Sequence, residues 1–182
     1  MIFSMSNNYH KLLEKIDKVV KQKSLDLSSD EDLSIGIMNL ISIEEHLFFT
    51  SQKTGKSDYL DLLNEVRLIR TELLKRIIKD YEGENWCISK HLLAATMRLV
   101  EVGTKELKKG NKKEAQDLFD KAFKLYSLFW GINLKVVKFD KVSRPKDSEI
   151  NFLADNENMT YSASIFDKLG SLVKKAIDCC RE

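Results

Sequence analysis

Glu44, Glu45, Arg70, His91 and Arg98 are the residues of this chain whose types and spacing could carry chemistry. On a helical wheel at about 100° per residue, Glu44 falls between Leu40 and Phe48, and Glu45 between Ile41 and Phe49. Both carboxylates therefore lie within an apolar arc centred on Ile37, Ile41 and Phe48. Arg70 lies inside the stripe set by Leu63, Val66, Leu73 and Ile77. Farther on, Cys87, His91, Arg98, Glu101 and Lys105 form one polar stripe, with Cys87 and His91 one turn apart. Of the 30 basic residues 24 are lysine, yet four of the six arginines (Arg67, Arg70, Arg76, Arg98) cluster within 67–98. A chain that defaults to lysine uses arginine where a rigid, planar, permanently charged fork is wanted.

A buried charge must be paired, or it costs several kcal/mol. The expectation is an internal polar cluster in which Glu44 and Glu45 face Arg70, with His91 and Arg98 close by. The preferred reading of that cluster is an ion-pair network that fixes helix register. The alternative is a pocket between the helices for a small polar or anionic ligand. Arg70 and Arg98 would then hold the anion, His91 would shuttle protons, and Glu44 or Glu45 would orient them. No Glu-x-x-His occurs, so di-iron chemistry finds no ligand set, and neither a metal nor a cofactor is expected. Cys87 and His91 could touch across a turn, but one regular helix supplies no oxyanion donors, so no catalytic residue is assigned. Walker and dinucleotide fingerprints are lacking.

The elements that position these residues follow from composition and periodicity. The 182 residues are 43% hydrophobic and 32% charged, with 7 glycines and 1 proline. So few chain-breaking residues, against a usual share of roughly 12%, argue for long helices and against a sandwich or barrel. The formal charge of +2 shows no overall bias toward nucleic acid or membrane. No apolar run reaches the ~18 residues of a membrane span. Cys87, Cys179 and Cys180 form no disulfide framework, and the chain reads as a cytoplasmic protein with reduced thiols.

The expected fold is all-α: one domain over 1–182, an antiparallel bundle or stack of hairpins of about six helices. Core helices occupy 8–132, at about 8–23, 29–49, 58–81, 84–109 and 111–132. Ser29 with Asp32 reads as a capping box, Ser57 or Asp58 as a cap, and Thr50 to Lys56 as a turn with Gly55 left-handed. An irregular basic segment covers 133–160, where Val136, Val137 and Phe139 suit a short extended piece. A C-terminal helix within 161–182 packs back.

One stretch carries a resemblance. Leu99, Val102, Gly103 and Glu106 on one helix, then Gly110, then Ala115, Phe119 and Ala122 on the next, resemble a single tetratricopeptide repeat. Leu99, Val102, Glu106 and Ser127 depart from that family's usual tryptophan, leucine, tyrosine and proline. The resemblance covers about 34 residues, with no second copy in phase. It implies a tight helix hairpin and, secondarily, peptide binding.

Two surfaces suggest partners. The helix 111–132 carries Phe119, Phe123, Tyr126, Phe129 and Trp130; what the last helix leaves uncovered, Phe123 and Trp130 in particular, would bind a partner. Leu134 to Lys146 holds Lys135, Lys138, Lys141, Arg144 and Lys146 against Asp140, a local charge of +4 with Phe139 interleaved. Such an arm suits an acidic partner or RNA. The preferred role is a non-enzymatic protein-binding or scaffold protein, as a homo-oligomer or in a larger assembly. Ligand binding between the helices and RNA association are the alternatives.

Overall fold

The computed structural model describes residues 27–79, 84–137 and 159–176, together with Glu14, Lys15 and Lys18. The described fold is all-α. Five helices follow one another: α1 (Ser28–Thr54), α2 (Asp58–Ile77), α3 (Glu84–Lys108), α4 (Lys112–Asn133) and α5 (Met159–Ala176). The expected helix at 8–23 falls outside the described residues, save for Glu14, Lys15 and Lys18, which are helical and exposed. Short connections make α1–α2 and α3–α4 hairpins. The α1 helix rests on α3, and α5 packs on α4.

The ends of the helices have local causes. The first begins at Ser28, with Leu27 in the capping position and no side-chain cap, so the Ser29–Asp32 box does not form. Asp30 and Glu31 in its first turn favour the positive end of the helix dipole instead. Ser57 precedes α2 without a capping bond either. The turn expected at 50–56 is shorter than that reading: α1 runs on to Thr54 because nothing in 50–54 breaks a helix. It stops at Gly55, whose φ of 67° is left-handed and whose N–H donates to the Ser51 carbonyl at 2.8 Å. The α2 helix ends at Ile77, four residues before the expected 81, because Ile78 turns extended and buries itself in the core.

At the end of α4, Lys135 takes a left-handed φ of 57°. The Val136 N–H reaches the Gly131 carbonyl at 2.9 Å and the Lys135 N–H reaches the Ile132 carbonyl at 2.9 Å. That pair of bonds is a Schellman cap. Val136 and Val137 therefore fold back on α4 rather than forming an extended piece, and Val136 is 2% exposed.

Among the described residues, the main apolar cluster lies toward the open ends of the two hairpins. Ile37 and Met38 of α1, Leu74 and Ile77 of α2, Leu92 and Leu93 of α3, Phe129 and Trp130 of α4, and Leu169, Leu172 and Val173 of α5 meet there. Tyr126 ties the two hairpins together. Its hydroxyl hydrogen-bonds Ser34 at 2.7 Å, while Ser34 donates to the Glu31 carbonyl. Burial raises the Tyr126 pKa, and the hydrogen bond it shares with Ser34 opposes that shift. The phenol therefore stays neutral well past neutral pH.

Gly103 is what lets α3 and α4 close on one another. A Cβ there would lie 2.6 Å from Cε1 of Phe119. Gly36, also within a helix, has nothing within 4 Å of such a Cβ. Alanine gains up to about 1 kcal/mol over glycine in a helix interior, whereas forcing a packed crossing apart costs about 1–3 kcal/mol. The expected outcome in urea denaturation is opposite in sign at the two sites: Gly36→Ala raises the midpoint and Gly103→Ala lowers it. A higher midpoint for Gly103→Ala would mean that the crossing has slack.

Candidate functional site

The anticipated charge cluster is two separate pairs. The Arg70 Nε donates to Glu44 Oε1 at 2.7 Å and its Nη2 donates to Glu44 Oε2 at 3.2 Å. This is a side-on, two-pronged pair, with side-chain exposure of 4% for Arg70 and 16% for Glu44. Glu45 turns away from it and pairs with Arg98 of α3, with both side chains nearly half exposed. Successive residues on a helix point about 100° apart, so Glu44 and Glu45 reach two different neighbours. The first pair joins α1 to α2; the second joins α1 to α3.

His91 is exposed and belongs to neither pair. The rest of its stripe is solvated too: Cys87, Arg98 and Lys105 are exposed, and Lys105 pairs with Glu101 at 3.4 Å. The five residues Glu44, Glu45, Arg70, His91 and Arg98 thus do not converge on one inter-helix pocket. Each of the two arginines expected to hold an anion already has a carboxylate on it. Among the described residues, no group of three or more His, Cys, Asp and Glu is arranged to hold a metal ion. No helix among them is long and apolar enough to cross a membrane.

The aromatic face of α4 divides as well. Trp130 is 1% exposed and stacks edge-on with Phe129 at 5.1 Å between ring centres, so it is a core residue and not a partner contact. Phe123 is half-buried under α5, against Gly170, with Lys174 Nζ 5.3 Å from its ring centre. Its open edge lines a shallow groove with Phe166 and Lys174. Of the basic segment, Lys135 is exposed at the α4 cap. Lys138, Lys141 and Arg144 lie outside the described residues.

What the spacing did not single out is the outer part of the α1–α2 hairpin. Beyond Met38 on α1 and before Leu74 on α2, the buried residues of these helices are Ser51 and Arg70, both polar. Seven of the large apolar side chains there face solvent: Ile43 44%, Phe48 45%, Phe49 50%, Leu60 43%, Leu62 53%, Leu68 57% and Ile69 51% exposed, while Leu40, Ile41, Leu47, Leu63, Val66 and Leu73 are half-buried. Phe48 and Phe49 meet edge to face at 5.2 Å between ring centres. The arm is held by its polar groups. The Glu44–Arg70 pair sets the register of the two helices, and Ser51 Oγ donates to the Lys56 carbonyl at 3.1 Å to close the turn. A signal for this was present in the sequence. Leu62 and Ile69 repeat at seven residues yet fall off the Leu63, Val66, Leu73, Ile77 stripe, marking a second apolar face on α2.

Comparison of the chain with protein-family models, with curated proteins and with solved structures finds no match.

Proposed function

We propose that this chain is a non-enzymatic, cytoplasmic protein-binding module and that the outer half of the α1–α2 hairpin is its docking element. One observation carries the reading: a helical arm exposes seven large apolar side chains and fully buries none, its other apolar residues being only half-buried. Isolated exposed apolar residues are ordinary, but a concentration of this kind marks an interaction surface. The buried Glu44–Arg70 pair serves the same end. It keeps two helices in register where their apolar residues are only half-buried, and so presents a rigid apolar surface. Pre-organisation of that sort lowers the entropic cost of binding. The tetratricopeptide-like hairpin α3–α4, with Gly103 against Phe119, is the scaffold from which the arm projects in this reading.

The test is site-specific photo-crosslinking in living cells. A photoreactive phenylalanine analogue replaces Phe49 in one variant and Asp120, exposed on α4, in another. The expected result is a discrete protein adduct from position 49 and none from position 120. Equal, diffuse labelling from both positions would refute the reading.

A further inference from the structure

We infer that one face of the hairpin takes a second copy of this chain, making a four-helix bundle about a twofold axis parallel to α1 and α2. This rests on the protein-binding reading and names its partner.

The face is defined by what the other sides of the hairpin do. Glu44 and Ser51 turn α1 toward α2, whereas Ser34 and Glu45 turn it toward α4 and α3. Ile43 lies about 180° from Ser34 on the wheel, and Leu40 and Leu47 lie beside it. On α2, the flank bearing Leu74 runs on to Ile78, and both are buried. The other flank carries the exposed Leu62 and Ile69, with Val66 of the inward stripe half-buried at its inner border. The side of the hairpin turned away from α3 and α4 therefore presents Ile43 beside Leu62 and Ile69, with the half-buried Leu40, Leu47 and Val66 along the seam between the two helices. Their spacings, i, i+3, i+7 and i, i+4, i+7, are those of helices that pack in bundles.

The rims choose the partner. Asn39, His46 and Lys53 repeat at seven residues along the outer edge of this face on α1, and all are exposed. Asp58, Glu65 and Glu72 repeat at seven along its outer edge on α2 and are exposed also. Glu72 lies 3.9 Å from Arg76 of its own helix and Asn39 Nδ2 donates to the Ile35 carbonyl at 3.0 Å, so His46 and Lys53 are the chief donors of the rim. The Glu44–Arg70 pair puts residue 44 level with residue 70. Counting outward from it, Asn39 is level with Glu72, His46 with Glu65 and Lys53 with Asp58, each to within about one turn.

A twofold axis parallel to the helices lays α1 over α2 of the second copy, antiparallel. The donor rim of each copy then meets the acid rim of the other, twice. A twofold axis across the helices would instead set acid rim against acid rim, which is unfavourable. From Asn39 to Lys53 and from Asp58 to Glu72 the helical rise makes the face about 21 Å long, and two helices side by side make it about 20 Å wide. That is about 400 Å² per copy, smaller than a standard interface, so the paired rims and not area alone must select the second copy.

The test is native mass spectrometry with sedimentation on the full chain at about 10 μM, a concentration that populates any dimer tighter than micromolar. The expected wild-type mass is twice 21.1 kDa. Ile69→Glu is expected to give a monomer with an unchanged helical signal, since Ile69 is 51% exposed within one copy. His46→Glu, placed against Glu65 of the second copy, is expected to weaken the dimer about tenfold or more. Adding Glu65→Arg to the same chain is expected to restore it. A monomeric wild type, a dimer indifferent to Ile69→Glu, or no rescue by Glu65→Arg would each overturn the second-copy assignment. A monomeric wild type that still gives a photo-adduct to another protein from position 69 would leave the protein-binding reading standing. A monomer with no adduct from position 49 or 69 would remove both.

Discussion

Glu44→Leu is expected to lower the folding stability by about 3–5 kcal/mol, a large share of the 5–15 kcal/mol that domains possess. The reason is what it leaves behind. The Arg70 side chain is 4% exposed and both of its bonding edges on this side are committed to Glu44. Guanidinium does not give up its proton, so without Glu44 it must stay buried as an unpaired charge or drag α2 outward. Removing the arginine instead is milder. Glu44 is 16% exposed, and its carboxylate can turn toward water. Replacing both, Glu44→Leu with Arg70→Met, removes the desolvation cost along with the attraction. Buried pairs exchanged in this way come out neutral or more stable by about 1–4 kcal/mol. The expected order of urea midpoints is therefore Glu44→Leu lowest, Arg70→Met next, and the double variant at or above wild type. A double variant as unstable as Glu44→Leu would mean that the pair holds the fold together and not merely the register of the arm.

Trp130→Ala is expected to be comparably severe, costing about 3–5 kcal/mol. Trp130 is 1% exposed and touches Phe129 and Tyr126 in the core shared by both hairpins. No neighbouring helix can collapse into the space without moving the rest. The informative comparison is with the arm. Phe49→Ala removes an aromatic ring of similar type from a position 50% exposed, and is expected to change the stability of the isolated chain by about 0.5 kcal/mol or less. Two large aromatic residues thus separate by several kcal/mol according to where they sit. An apolar residue that contributes little to folding is one kept for something outside the folded monomer. A large stability loss at Phe49 would place it in the core and remove it from the docking surface.

The fold class was legible because it rests on composition and on stripes at 3.6-residue spacing, which long helices with few glycines make plain. The Glu44–Arg70 pair was legible for a related reason: a charged residue inside an apolar arc must meet its opposite. The assignment of Glu45 to the same partner failed on geometry, since neighbouring residues diverge by about 100° and Glu45 reaches Arg98 on α3 instead. His91 shares a stripe with Arg98, but a wheel does not say whether a polar stripe faces a neighbour or water. Trp130 and Phe123 share a face of α4; only the placement of α5 and of the α1 segment near Ile37 decides that the first is core and the second half-open. The arm itself escaped notice because periodicity places Phe48 at the centre of an apolar arc, and an arc promises burial. Burial requires a second surface, and among the described residues the core lies at the other end of the hairpin.

The central claim is that the outer hairpin is a contact surface and not a solvent surface. The measurement that tests it most directly is hydroxyl-radical footprinting of side chains in the living cell, compared with the purified chain at high dilution. Phe48, Phe49, Leu62, Leu68 and Ile69 are expected to react freely in the dilute protein and to be strongly protected in the cell, while Phe129 and Trp130 are protected in both. Equal reactivity of the five hairpin residues in the two settings would contradict it.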